Sequence, residues 1–174
     1  MTEIKIAIFD LDGSLTDGTY RVSDDNVVTK VFNTKDFHGL SKLQELGVIV
    51  YILTGSTDMC LLNQWNRLPT VAKKHLEIYD SVINKKQFVE DHILSKDIMF
   101  DNIAYMGDDE NDLECMKLAK ITGCPSDAIP EIKKQDVSYI SDNKGGRGAV
   151  RDFVEFLIRL HKENEIILGE TNES

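Results

Sequence analysis

The chain has 174 residues, 20 basic against 30 acidic side chains, and a formal net charge of −10. That length predicts one domain over 1–174, with room for one core and a small excursion but not for a large separate cap. A hydrophobic fraction of 41% with 29% charged residues fits a globular protein, and so acidic a surface argues against nucleic-acid or membrane partners. The longest apolar run, Val48–Leu53, is far short of the roughly 18 residues of a membrane span. The N-terminus has no basic stretch followed by a signal-like apolar segment, so a cytoplasmic location is expected. Cys60, Cys115 and Cys124 form no C-x-x-C pair and are expected to be small buried hydrophobes.

Taken in chain order, Ile4–Phe9 reads as a short strand of β-formers. Thr19–Ser23 and Val27–Asn33 flank the turn Asp24-Asp25-Asn26 and predict a β-hairpin, a flap over 19–33. Leu40, Leu43 and Leu46 share one helical face, and Gly47 supplies the stop. Val48–Leu53 is an apolar strand, and a helix over 56–68 ends before Pro69. A weak strand covers Leu76–Tyr79, and a helix begins near Asn84 with Phe88, Val89 and Ile93 inward. Strand Ile103–Met106, helix Asn111–Ala119, strand Ile121–Cys124, helix Ala128–Gln135 and strand Val137–Ile140 follow. A long helix begins near Gly148, and a polar, weakly structured tail is expected over 162–174. Apolar strands separated by helices imply an α/β fold, a doubly wound parallel sheet buried on both faces. In such sheets ligands sit beyond the carboxyl ends of the strands.

The residues after four strands carry chemistry. After the first comes Asp10-Leu11-Asp12-Gly13-Ser14-Leu15-Thr16-Asp17-Gly18. With 18 Asp in the chain, roughly two D-x-D pairs arise by chance, so context must supply the information. Here the first Asp ends a buried strand, and Gly13 lets the backbone turn sharply. Thr54-Gly55-Ser56 opens a helix with a hydroxyl and free N–H groups, which is either an anion cradle or an ordinary cap. Asn84-Lys85-Lys86 offers a phosphate-reaching ammonium or a solvated helix start. Gly107-Asp108-Asp109-Glu110-Asn111-Asp112 crowds acids on one loop, as a cation site would. Four such signals at four strand ends make a coincidence of ordinary turns improbable and point to phosphoryl transfer.

In D-x-D-G-x-x-T-D-G and G-D-D-x-x-D, the chain resembles the haloacid dehalogenase superfamily over nearly its whole length. The hairpin, Phe32-Asn33-Thr34-Lys35-Asp36 at its end, and Gly145-Gly146-Arg147-Gly148-Ala149-Val150-Arg151 resemble the capless, tetrameric 3-deoxy-D-manno-octulosonate 8-phosphate phosphatases. Nonulosonate 9-phosphate phosphatases and a C-terminal module of some acylneuraminate cytidylyltransferases are similar too. The resemblance implies a sugar-phosphate phosphatase with Asp10 as nucleophile and Asp12 as general acid and base. It implies Mg2+ on the Asp10 carboxylate, the Asp12 backbone carbonyl and the Asp108 carboxylate. Asp109 and Asp112 would lie around that ion, with Asp112 orienting the metal surroundings or holding the lysine. Thr54, Gly55 and Lys85 would hold the phosphate. Periodicity does not decide between Lys85 and Lys86, whereas the family's single lysine after Asn points to Lys85.

Asn33, Lys35, Asp36, Ser56 and Arg147 are expected to contact the sugar. Ser56 stands where an arginine is usual, Lys35 replaces another arginine, and Phe37 replaces a glycine. The hairpin and a neighbouring subunit of a homotetramer are expected to cover the site. Other readings are a phosphatase of a different small phosphometabolite, a phospho-accepting receiver-type module, or a non-catalytic oligomerisation domain. A receiver places its acceptor Asp on a later strand, and a non-catalytic domain would have lost the site acids.

Overall fold

The computed structural model describes residues 3–57, 60, 63, 67, 75–95 and 97–172, with 164–172 as backbone only. Six parallel strands, β1 (Ile6–Asp10), β4 (Ile49–Leu53), β5 (Leu76–Tyr79), β6 (Ile103–Met106), β7 (Ile121–Cys124) and β8 (Tyr139–Ile140), form one sheet in the order β5-β4-β1-β6-β7-β8. The chain winds outward from β1 to β5, returns to β6 on the other side of β1, and winds outward again to β8. The reversal therefore falls between β1 and β6, where a doubly wound sheet opens a crevice at its carboxyl edge.

Alternation along β1 explains its central place. Ala7 and Phe9 belong to the core on one face, and Ile6 and Ile8 to the core on the other. All of its residues are buried. The first face is covered by helix α1 (Thr34–Glu45), through Leu40 and Leu43, and by the C-terminal helix Ala149–Asn172, through Phe153, Val154 and Leu157. Phe153 meets Phe9 edge-on at 6.2 Å. It also lies over Gly123, where a Cβ would fall 2.6 Å from its ring. The opposite face is closed by Val89, Ile93, Cys115, Met116 and Ile132.

The predicted hairpin is present but short. β2 (Arg21–Val22) pairs antiparallel with β3 (Val28–Thr29), and Asn26 takes a positive φ of 61° in the turn. Among the described residues it is the main excursion from the layered body, and no cap domain is present among them. The predicted helix over 56–68 lies mostly outside the described residues. The segment after Cys124 is helical only over Pro130–Lys133, and the last strand shrinks to Tyr139–Ile140. The tail over 162–174, expected to be weakly structured, is helical as far as Asn172. Polarity prompted that expectation, but Lys162, Glu163, Glu165, Ile167 and Leu168 are good or tolerable helix formers with no proline among them. Cys115 and Cys124 are buried as expected, whereas Cys60 is half-buried, its Sγ 3.2 Å from the Val28 carbonyl. No helix among the described residues is long and apolar enough to cross a membrane.

Candidate active site

Asp10 is the last residue of β1, buried at 4% exposure. The chain then turns sharply over 11–15, with Gly13 at φ 102°. A Cβ on Gly13 would lie 1.9 Å from Asp108 Oδ2, so both the conformation and the approach of the acidic loop require glycine. Gly107 is constrained by space alone, since its Cβ would fall 2.3 Å from the Asp112 carboxyl carbon. Gly13 lets the turn after β1 and the loop after β6 approach each other, and Gly107 lets that loop fold back so that Asp112 packs against its start.

Lys85 enters this space from the start of the short helix Lys85–Phe88, which Asn84 caps by accepting from Gln87 N at 3.0 Å. Its ammonium donates to Asp10 Oδ1 and, at 2.7 Å, to Asp112 Oδ1. Lys86 instead lies at the surface, 3.9 Å from Glu90. The geometry therefore selects Lys85. Asp112 is fully buried and saturated: Tyr105 OH donates to its Oδ1 at 2.7 Å, and Asp108 N donates to its Oδ2 at 3.1 Å. Tyr105 was not legible as a site residue, because it sits inside an apolar strand run. Asp109 is exposed, its carboxylate accepting from Glu110 N at 2.7 Å to cap the turn.

Carboxylate oxygens of Asp10, Asp108 and Asp112 come within 4.8 Å of one another. Burial, then the Asp112 charge, push the Asp10 carboxyl well above the usual carboxylate range, against the pull of Lys85. Burial and Asp112 likewise raise Asp108, to about 7. Lys85 is pushed the other way by burial, but Asp10 and Asp112 outweigh that and hold its ammonium charged. Asp10 Oδ2 and Asp108 Oδ1 are buried without a hydrogen-bond partner. Two orphaned carboxylate oxygens in an all-oxygen cluster are what a hard divalent cation would satisfy, so the residues fit Mg2+.

Asp12 is one-third exposed at the mouth. Its Oδ1 accepts from Thr16 Oγ1 at 3.2 Å, and its Oδ2 from Ser56 Oγ at 3.1 Å. Lys30, on the hairpin, donates to both oxygens at 2.7 and 2.8 Å. Thr54 is buried with its Oγ1 3.0 Å from Ser56 Oγ and accepts from Ser56 N at 3.1 Å; Gly55 between them leaves ordinary space. A cavity of about 430 Å3 opens beside this mouth, lined among others by Tyr20, Asn26, Lys30, Ser56, Thr57 and Asn63.

Of the expected sugar contacts, Ser56 alone lines this cavity. Asp36 is a correction: it is fully buried, and its Oδ1 accepts from Arg151 N at 2.8 Å, tying α1 to the first turn of the C-terminal helix. That burial raises its carboxyl to about 6. Asn33 caps α1 by accepting from Lys35 N at 2.9 Å, and Lys35 is exposed. Arg147 pairs with Asp17 at 3.3 Å and is otherwise exposed. The Gly145-Gly146 step is a buttress: a Cβ on Gly145 would lie 1.7 Å from Gly13 O, and Gly146 N donates to Ser14 O at 2.9 Å.

This arrangement has relatives. Residues 58–152 match the haloacid dehalogenase-like hydrolase family. The 3-deoxy-D-manno-octulosonate 8-phosphate phosphatase KdsC of Salmonella typhi is 30% identical over 155 residues, 89% of this chain and 79% of that protein. The chain belongs to the haloacid dehalogenase-like hydrolase family. This hydrolase is also 28% identical over 162 residues to N-acylneuraminate cytidylyltransferase A of Danio rerio, covering 92% of the chain but 36% of that protein. It thus spans about a third of that relative's length. The cobalt-bound deoxy-D-mannose-octulosonate 8-phosphate phosphatase of Haemophilus influenzae superposes with a TM-score of 0.78 at 25% identity, over 90% of this chain and 88% of that one.

Proposed function

We propose that this hydrolase is a Mg2+-dependent phosphomonoesterase for the terminal phosphate of a 2-keto-3-deoxy sugar acid. An octulosonate 8-phosphate or a nonulosonate 9-phosphate is the substrate, and Asp10 carries the phosphoryl group between the two half-reactions. The observation that carries the reading is the convergence of Asp10, Lys85, Asp108 and Asp112 at the topological reversal of the sheet. The substrate class is supported by the names of the relatives and by a cavity within the size range of small-molecule sites, with Asn26, Lys30, Ser56, Thr57 and Asn63 among its lining.

Asp10, the Asp12 backbone carbonyl and Asp108 would hold the ion. Bound there, a divalent ion supplies the positive charge that lets a phosphate dianion approach a carboxylate. The Asp10 carboxylate attacks phosphorus as the bond to the sugar oxygen breaks, and the Asp12 carboxyl gives that oxygen its proton. Asp12, now ionised, then takes a proton from water. The water oxygen bonds to phosphorus, the bond to Asp10 breaks, and inorganic phosphate leaves. Lys85, Thr54 and the Gly55 N–H hold the transferring oxygens, where charge stabilisation is usually the largest contribution. Asp112 keeps Lys85 oriented.

A phosphate-release screen over sugar phosphates tests this reading. Turnover is expected with Mg2+, lost in excess EDTA and restored by Mg2+, and Asp108→Ala should raise the Mg2+ needed. With Ser56 in place of an arginine, one charge-assisted hydrogen bond to the sugar acid is missing, worth roughly 1.5–3 kcal/mol. The octulosonate phosphate should therefore gain no advantage, with kcat/KM on nonulosonate 9-phosphate at least as large. Full activity in chelator, or no turnover of any phosphomonoester, would overturn the reading.

We also propose a homotetramer. Tyr20, Val22, Val27 and Val31 on the hairpin are each more than half exposed, from 52% to 65%. Clustered apolar side chains on a two-stranded hairpin call for a partner surface, since an isolated hairpin is marginal in water. Light scattering should give about four times the 19.7 kDa chain mass. A monomer at micromolar concentration would refute it.

A further inference from the structure

Lys30 belongs to none of the motifs that mark the site, yet it makes the closest polar contacts of Asp12. It lies just beyond β3, and its side chain is 7% exposed. An ammonium so covered needs strong partners, because a buried unpaired charge is costly. Here it straddles both Asp12 oxygens, at 2.7 and 2.8 Å. The strand that carries it is tied down nearby by Cys60 Sγ to Val28 O at 3.2 Å, and its base is anchored where Phe32 meets Phe37 at 5.8 Å. Lys30 also lines the 430 Å3 cavity and an adjoining one of about 240 Å3 that extends to Arg67. The hairpin therefore reaches the chemistry through the Lys30 side chain, at the mouth where a leaving group would sit.

The remaining contacts to Asp12 explain why that side chain matters. Thr16 Oγ1 approaches one oxygen at 3.2 Å and Ser56 Oγ the other at 3.1 Å. These hydroxyls sit on the Asp12 loop and on the loop after β4, and each is longer than the ideal for O–H···O. A carboxylate one-third exposed and held by two long hydroxyl contacts can rotate about its own side-chain bonds. A two-oxygen grip from a fixed ammonium removes that freedom, and loss of alignment of about 1 Å at a reacting group can cost about 100-fold in rate.

We propose that Lys30 is a positioning residue of the phosphatase: through the hairpin it orients the Asp12 carboxyl toward the leaving oxygen and then toward the attacking water. The inference rests on the phosphatase reading above, with Asp12 as acid and base. It assigns the hairpin a part in the reaction itself, in addition to covering the site. Coupling through Lys30 makes the acid-base step depend on the hairpin's seating.

The test separates the two half-reactions with the intact protein and Mg2+. An aryl phosphate with a nitrophenolate leaving group needs no proton from Asp12 to form the phospho-enzyme, but its breakdown still needs Asp12 as base. Lys30→Met should therefore release one equivalent of nitrophenol in a burst. Slow turnover should follow, lowered by about 100-fold in kcat with kcat/KM on this substrate within about threefold, because only breakdown of the phospho-enzyme is slowed, and radiolabelled phosphate should accumulate on Asp10. Lys30→Arg, which keeps a cation on the hairpin, should recover at least tenfold of the loss. Wild-type kcat in Lys30→Met would overturn the inference, as would a loss of burst and steady state together in a variant of normal Tm. If the wild-type protein turns over no aryl or sugar phosphate, the phosphatase reading itself fails and takes this inference with it; activity of the wild type alone keeps the two failures apart.

Discussion

Asp10→Asn should abolish phosphate release, with a loss of roughly 10^4-fold or more in kcat, while the protein still folds. The size follows from the role: the amide is a poor nucleophile toward phosphorus, and the residues left can bind but cannot form the acyl phosphate. The folding half of the prediction follows from the surroundings. Asp10 is buried beside Asp108 and Asp112, and burial with those charges holds its carboxyl above the usual range. A carboxyl raised in the folded protein binds its proton more tightly there than in the unfolded chain. Its ionisation therefore costs stability as pH rises through the folded value. The isosteric amide removes that cost and leaves Lys85 its contact with Asp112 at 2.7 Å. Tm in the absence of metal should therefore be no lower than wild type at pH 7–8. A purified variant retaining more than about 1% of wild-type activity would remove Asp10 from the mechanism.

The parts of this site that could be read without coordinates share one property: each lies where a strand of plain pattern stops. Leu76–Tyr79, Ile103–Met106 and Ile121–Cys124 have the bounds expected of them, because short apolar runs between polar breaks leave little choice of register. Asp10, Thr54 and Asp108 follow directly from strand ends. What stayed hidden is reached through space. Lys30 looks like any lysine on a polar-apolar hairpin, and only the fold brings it across 18 positions to Asp12. Tyr105 reads as core because its ring is core; its hydroxyl, at 2.7 Å from Asp112, is the polar tip of a buried body.

The string before α1 teaches the converse. Asn33 and Asp36 sit in a string suggestive of sugar contact, yet they close helix ends, one accepting from Lys35 N and the other from Arg151 N. Asparagine and aspartate near a helix start are ambiguous between cap and ligand, and for Asp36 complete burial decides. The Gly145-Gly146 step has a similar lesson. It bears no chemistry, but it lets the chain lie against Gly13 and so fixes the turn that carries Asp12.

Lys85→Met should be the most damaging single change to stability, and should slow turnover as well. The ammonium is fully buried between Asp10 and Asp112, Asp112 is fully buried too and the Asp10 side chain is only 6% exposed, so water is a poor replacement for it. Removing one partner of a buried ion pair typically costs about 3–5 kcal/mol, because the charge left behind stays unpaired. At about 2–4 °C per kcal/mol for a domain of this size, the expected fall in Tm is roughly 6–20 °C. Lys85 has its own affinity for the proton raised by the two carboxylates. It is therefore charged throughout pH 5–9, and its support is fully present across that range. The deficit in the variant should nevertheless depend on pH. At pH 5 the stranded Asp10 carboxyl, already raised by burial, can take up a proton and the loss should be small; at pH 8 it is ionised or must pay to stay neutral, and the loss should be largest. Mg2+ should narrow the gap by supplying charge to Asp10, while kcat stays about 100- to 1000-fold down, since the cation that meets the transferring oxygens is gone. Thermal melts at pH 5 and 8, with Mg2+ and with EDTA, check each part. A pH-independent deficit would show that the stranded Asp10 carboxyl is not its source, and wild-type kcat would take Lys85 out of the phosphate site.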